Sequence, residues 1–229
     1  MSPNRVRQHV NPFHIQYQQP VPPPRWSTVF ARSEQPVHVD IGSAKGLFLR
    51  DMAQACPDWN FVGLEIREPL VEQALRWRDA EGLTNLHFIF CNANTSLGTV
   101  LASLADRFQR VSIQFPDPWF KKRHQKRRVV QPGLVVELAA HLPRQGWVWL
   151  QSDVEDVAIA MRDRFQESPY FTPSSPDWLT ENPLPAQTDR ERVTLAQGKP
   201  VYRKLFTRND QPIQSSEAPG VSPSDIALT

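Results

Sequence analysis

Phe115-Pro116-Asp117-Pro118-Trp119-Phe120 runs directly into Lys121-Lys122-Arg123-His124-Gln125-Lys126-Arg127-Arg128, setting one carboxylate beside six cations. Each proline fixes its own φ and narrows the residue before it, so Asp117 is held rather than mobile. A fixed carboxylate can favour positive charge that develops during a reaction, or accept hydrogen bonds from a nucleobase edge. The basic run is a phosphate-binding surface by charge. Standing alone it would read as a solvated or localisation stretch. Its attachment to the Asp117 loop favours the phosphate reading.

A second set of polar residues precedes this loop. Val39-Asp40-Ile41-Gly42-Ser43-Ala44-Lys45-Gly46 has two glycines that bracket a turn and allow backbone to approach a ligand, although GxxxG is equally compatible with tight packing alone. Glu65 follows Gly42 by 23 residues, where a carboxylate can accept hydrogen bonds from both hydroxyls of an adenosine ribose. Asn92 and Asn94 offer polar groups to an adenine, or simply a turn. The glycines do not match the GxGxxG that seats a dinucleotide pyrophosphate. S-adenosylmethionine has no phosphate and carries an ammonium and a sulfonium, which suits the acidic Asp40 and Glu65 better.

These residues need elements that bring them to one edge. Val37–Ile41, Phe61–Leu64, Leu86–Phe90, Val111–Phe115 and Trp147–Leu150 read as strands. Helical spacing follows each of them: Leu47 to Ala55, Leu70 to Trp77, Leu97 to Leu104, Leu134 to Leu142 and Val154 to Phe165. The alternation predicts a doubly wound α/β domain with a mostly parallel sheet, of the Rossmann-like class. Glu191–Leu195 and Val201–Thr207 flank Gln-Gly-Lys-Pro and predict a late antiparallel hairpin. The domain is expected over 37–208. Residues 1–36, with seven prolines and no periodicity, read as a basic N-terminal arm, extended or partly disordered; 209–229 read as a disordered tail.

Composition narrows the class. At 229 residues the chain is one domain with appendages. No apolar stretch approaches the ~18–20 residues of a membrane-spanning helix, and the N-terminus has no apolar core of a secretory signal. Cys56 and Cys91 have no metal-ligand or redox spacing, so no metal is expected and the default is a cytoplasmic protein. The formal net charge is +2, yet the basic run and Arg5, Arg7, Arg25 and Arg32 hold ten positive charges, leaving the remainder at −8. Such separation suits a protein that faces a polyanion.

The string FPDPWFKKRHQKRR, together with Arg5-Val6-Arg7-Gln8-His9-Val10-Asn11-Pro12, Ser152-Asp153 and Thr188-Asp189-Arg190-Glu191-Arg192, resembles the tRNA (guanine-N7-)-methyltransferases. The resemblance implies methyl transfer from S-adenosylmethionine to N7 of the variable-loop guanine at tRNA position 46. By similarity, Asp40, Gly42, Glu65, Asn92 and Asp117 would form the cofactor site, with Asp117 also the catalytic candidate. Lys121, Asp153, Thr188 and Glu191 would face the guanine nucleotide, and Arg123, His124, Lys126, Arg127 and Arg128 the RNA. Two positions depart from the family's pattern: Asp40 stands where glutamate is more usual, and Ala44 where a further glycine is. A non-catalytic RNA-binding module on the same fold is the rival reading. A small-molecule methyltransferase would leave the six cations unexplained. Monomer and homodimer are both compatible with the sequence.

Overall fold

A computed structural model describes residues 10–214. Five strands lie parallel: β1 (Val37–Ile41), β2 (Asn60–Glu65), β3 (Leu86–Phe90), β4 (Phe108–Gln114) and β5 (Trp147–Ser152). Two further strands, β6 (Phe171–Pro173) and β7 (Tyr202–Arg208), complete a sheet of order β3-β2-β1-β4-β5-β7-β6. β1 and β2 are buried along their whole length, as strands covered on both faces must be.

The helices are α1 (Trp26–Val29), α2 (Leu47–Ala55), α3 (Glu68–Ala80), α4 (Ala93–Leu104), α5 (Pro132–His141), α6 (Glu155–Gln166) and α7 (Asp189–Ala196). Residues of α4, α5 and α6 join Val39, Ile41, Val111 and Ile113 in the larger core. Residues of α2 and α3 join Phe61, Leu86 and Phe88 in the smaller one. Alternation along the strands therefore sends successive side chains to opposite layers. The doubly wound architecture is as predicted.

The late antiparallel pair is present, but its first strand is not the expected one. Residues 191–195 are not a strand but part of α7, and β7 pairs antiparallel with β5 and β6 instead. The physical reason is local. The Thr188 hydroxyl accepts from the Glu191 amide at 3.0 Å, which caps a helix, and the buried positions Glu191 and Thr194 fall three residues apart. Because β7 runs against its neighbours, it delivers the chain to the edge of the sheet where β5 begins: Arg208 N donates to Gly146 O at 2.8 Å.

The arm also differs from its expected form. From residue 10 on, the described part of 1–36 is packed against the domain: Trp26 and Phe30 stack at 5.4 Å inside the larger core, and Trp26 Nε1 donates to Ser103 Oγ at 2.9 Å. Proline fixes the path and aromatic burial anchors it, without any periodicity for the sequence to display. Arg5, Arg7 and His9 lie outside the described residues, as does the tail beyond 214.

Candidate active site

Strand order reverses at β1, between β2 and β4, and a ligand cleft in such a sheet belongs beyond the carboxyl ends of these strands. A cleft opens there. Its wall includes Gly42 after β1, Glu65 and Arg67 after β2, Asn92 after β3, and Asp117, Trp119 and Arg127 after β4. Val10 and Pro12 of the N-terminal segment complete it.

The two glycines of the first turn do different work. Gly42 has φ +85°, and the space a side chain would occupy is open, as a ligand-facing backbone requires. Gly46 has φ +74°, and a Cβ there would sit 2.4 Å from the Phe88 ring, so it serves close packing. The Gly42 and Ser43 amides both donate to Leu64 O, at 2.8 and 3.0 Å. Those two donors are spent inside the fold rather than aimed at a phosphate. Ala44 occupies the left-handed region at φ +49°, and its amide donates to Glu65 Oε2 at 2.9 Å.

The Glu65 side chain is only 2 % exposed and is held by Arg67. Arg67 N and Nε donate to Oε1 at 2.9 and 2.8 Å, and Nη2 to Oε2 at 3.1 Å. Burial alone would lower the Arg67 pKa; its hydrogen bond to Glu65 and the charges of Glu65 and Asp117 more than reverse that. Arg67 thus reports both carboxylates in one neighbourhood. Asn92 uses its side chain within the protein: Oδ1 accepts from Asn94 N at 3.1 Å, and Nδ2 donates to Pro12 O and Tyr17 O, each at 3.2 Å. It ties the N-terminal segment to the start of α4. Cys91 lies on the wall with its thiol pushed up to about 12 by burial, so it stays protonated.

Asp117 lies in a loop whose ends are both unusual: Phe115 and Trp119 have φ of 48° and 44°. The Phe115 amide donates to Gln151 O at 2.8 Å. The basic run that follows forms a 3-10 helix, Lys122–Arg127, and divides in two. Arg128 Nε donates to Pro118 O at 2.9 Å, Arg127 lies over the Trp119 ring at 5.0 Å, and His124 meets the same ring edge-on. These three brace the Asp117 loop. Lys121, Lys122, Arg123 and Lys126 are exposed. Desolvation, then the charges of Arg127, Arg123 and Lys121, lower the His124 pKa.

Asp40 is not on the cleft wall. It lies beneath, in a row of polar side chains that alternation places on one face of the sheet. Ser112 Oγ donates to Asp40 Oδ1 at 2.5 Å, so it accepts from His38 Nε2–H at 2.9 Å. Gln114 Nε2 donates to Asp40 Oδ1 at 3.2 Å and Gln151 Nε2 to Gln114 Oε1 at 2.7 Å. Gln151 Nε2 also donates to Glu191 Oε2 at 3.1 Å. Strand register pairs Asp40 with Ser112, Gln114 with Gln151, and Gln151 with Arg203, which makes the row continuous. Burial raises the Asp40 pKa to about 6 against the lowering effect of its hydrogen bonds from Ser112 and Gln114. Burial, then the charge of Arg110, lowers that of His38 to about 3.

The residues expected at the guanine do not gather on the cleft wall. Glu191 is fully buried, with Oε1 bound by Arg203 Nη2 at 2.8 Å and Oε2 by Gln151 and by Asn182 Nδ2 at 3.0 Å. Thr188 caps α7. Asp153 is ion-paired with Arg190, whose Nε lies 2.8 Å away. Lys121 stands exposed in the basic loop. Of the polar wall residues the sequence did not single out Arg67, while Trp119, Val10 and Pro12 entered only inside longer motifs and without a role of their own. Arg67 had a local signal, being a cation two residues from a strand-end carboxylate; Val10 and Pro12 had only their membership of the motif over residues 5–12, with nothing in it to point to the cleft. The cleft is of a size and position for a nucleoside, with exposed cations beside it for a polyanion; both Glu65 oxygens already accept from Arg67 and Ala44, so a ligand would reach them by sharing or exchanging those hydrogen bonds. Glycine left open at Gly42 and acidity at Glu65 and Asp117 fit S-adenosylmethionine.

Residues 34–204 match the model of a family described as a putative methyltransferase. A tRNA (guanine-N(7)-)-methyltransferase of Trichormus variabilis is 55 % identical over 206 residues, covering 89 % of this chain and 96 % of its own. One of Synechocystis sp. is 52 % identical over 206 residues, covering 89 % and 97 %. Among solved structures, the 16S rRNA methyltransferase KamB superposes with a TM-score of 0.56 at 16 % identity, over 78 % of this chain and 90 % of its own. A precorrin-6y C5,15-methyltransferase from Geobacter metallireducens gives 0.50 at 12 % identity, over 76 % and 82 %. At those identities the likeness is one of fold.

Proposed function

The chain belongs to the tRNA (guanine-N7-)-methyltransferase family, and from that membership we propose that it transfers a methyl group from S-adenosylmethionine to N7 of the variable-loop guanine, position 46, of tRNA. The observation that carries the proposal for the site is that Gly42, Glu65 and Asp117 wall one cleft with cations at its rim. Glu65 and the backbone at Gly42 would hold the nucleoside part of the cofactor, and Asp40 would add acidity from below. When bound, S-adenosylmethionine supplies an electrophilic methyl group on a sulfonium.

No residue of the cleft has to remove a proton from the nucleophile, because guanine N7 carries a lone pair and no hydrogen. The task left to the chain is alignment and electrostatics. Asp117, held between two prolines in a loop that Arg128 braces at Pro118, would accept from the guanine N1–H and amino edge and favour positive charge on the purine. Lys121, Arg123 and Lys126 would contact phosphates. The reaction belongs in the cytoplasm, where tRNA is.

The experiment is methylation of an unmodified tRNA transcript with and without the variable-loop guanine, followed by nucleoside mass analysis. 7-Methylguanosine should form only with that guanine present. Asp117→Ala should abolish turnover while tRNA still binds; near-normal turnover would refute its role. Titration with S-adenosylmethionine separates this enzyme from a non-catalytic RNA-binding module, which would take up none.

A further inference from the structure

Two aromatic side chains near the cleft remain largely in water. Phe120 is 72 % exposed and Phe13 50 %. Each directly follows a residue of the cleft wall, Trp119 and Pro12. The Lys126 ammonium lies 5.7 Å from the centre of the Phe13 ring, and Phe120 leads into the exposed Lys121 and Lys122. Single exposed apolar residues are ordinary on protein surfaces. Each of these rings neighbours a residue of the cleft wall in the chain and has cations beside it, which gives a defined chemistry: π faces beside phosphate-binding charge.

Resting on the reading of the protein as a tRNA methyltransferase, we propose that Phe120 and Phe13 form a stacking platform for the nucleotides that flank the target guanosine. A base that enters a cleft must leave its stack, and its neighbours then lose a stacking partner. An aromatic ring at the rim replaces that partner, and it does so for any base because every base has a π face. The adjacent lysines meet the phosphates of the same nucleotides. In the free protein the Lys126 ammonium sits against the Phe13 ring as a cation–π contact; RNA would take both the ring and the cation.

The test measures binding of unmodified tRNA transcript to full-length Phe120→Ala, Phe120→Leu, Phe120→Trp and Phe13→Ala. Loss of one stacked base should raise the dissociation constant roughly 5- to 100-fold for Phe120→Ala. Leucine, apolar but without a π face, should behave like alanine, and tryptophan like the native residue. The affinity for S-adenosylmethionine, the thermal midpoint and the slope of tRNA affinity against salt should all stay unchanged. Tight binding by Phe120→Ala, or leucine as good as tryptophan, would overturn the platform. So would sedimentation showing a native dimer that Phe120→Ala splits without loss of tRNA affinity, since the rings would then belong to a second copy. Failure of the native protein to methylate tRNA would instead refute the underlying activity, so the two failures are distinct.

Discussion

Asp40 illustrates how a single carboxyl can be costly to the fold. Its pKa rises to about 6 in the folded chain because burial disfavours the charge. In the unfolded chain it titrates near 3.8. Between those values the folded state keeps a proton that the unfolded state has released, so stability falls as pH rises through this window. The penalty is complete above pH 6. Asp40→Asn keeps an oxygen for Ser112 and Gln114 but cannot ionise. Urea unfolding should show it more stable than the native chain by on the order of 2–3 kcal/mol at pH 7.5, with the gain gone by pH 3.5. Equal stability at pH 7.5 would mean the carboxylate is not penalised. Ala44 is a second strained position, at φ +49°. Ala44→Gly should gain about 1 kcal/mol, read by the same unfolding measurement, since glycine tolerates this conformation.

At the scale of elements, β7 holds the segment that leads into α7. Lys204 Nζ donates to the carbonyls of Ser175, Pro176 and Asp177 at 2.7 to 2.9 Å, and Arg203 Nη1 to Thr180 O at 2.8 Å. Lys204→Met would leave three carbonyls without their donor. It should cost about 2–4 kcal/mol and make residues 174–188 the first site of proteolytic nicking; unchanged nicking would show the segment is held by other interactions. The five parallel strands and their helices were readable because their apolar spacing is local. Asp117 was readable because its prolines adjoin it. α7 was not: Val193 and Thr194 are β-branched and suggested a strand, although Thr188 and Glu191, three residues apart, carried a capping signal. Asn92 shows the other limit. Its partners Pro12 and Tyr17 lie 75 to 80 residues away, so no local pattern could reveal that it spends its amide on them. The same holds for Glu191, whose buried ion pair with Arg203 exists only once β7 has paired with β5.

For the molecule as a whole, charge is arranged rather than summed. Lys121, Lys122, Arg123 and Lys126 project outward beside the cleft, while Arg127 and Arg128 turn inward to the Asp117 loop. The outward four should govern the salt dependence of tRNA binding and the inward pair the rate. Changing the outward four to glutamine should flatten the plot of log affinity against log salt by about 0.7–0.9 for each phosphate that is no longer neutralised. An unchanged slope would mean that the run does not touch RNA. The last described residues leave β7 where β5 begins, whereas substrate and cofactor would enter at the edge where the parallel strands end. A tether fixed at Gln214 would therefore leave the working side of an immobilised enzyme facing away from its support. A handle joined directly to Val10 would instead sit on the cleft wall, so the point of attachment decides whether a captured molecule stays active.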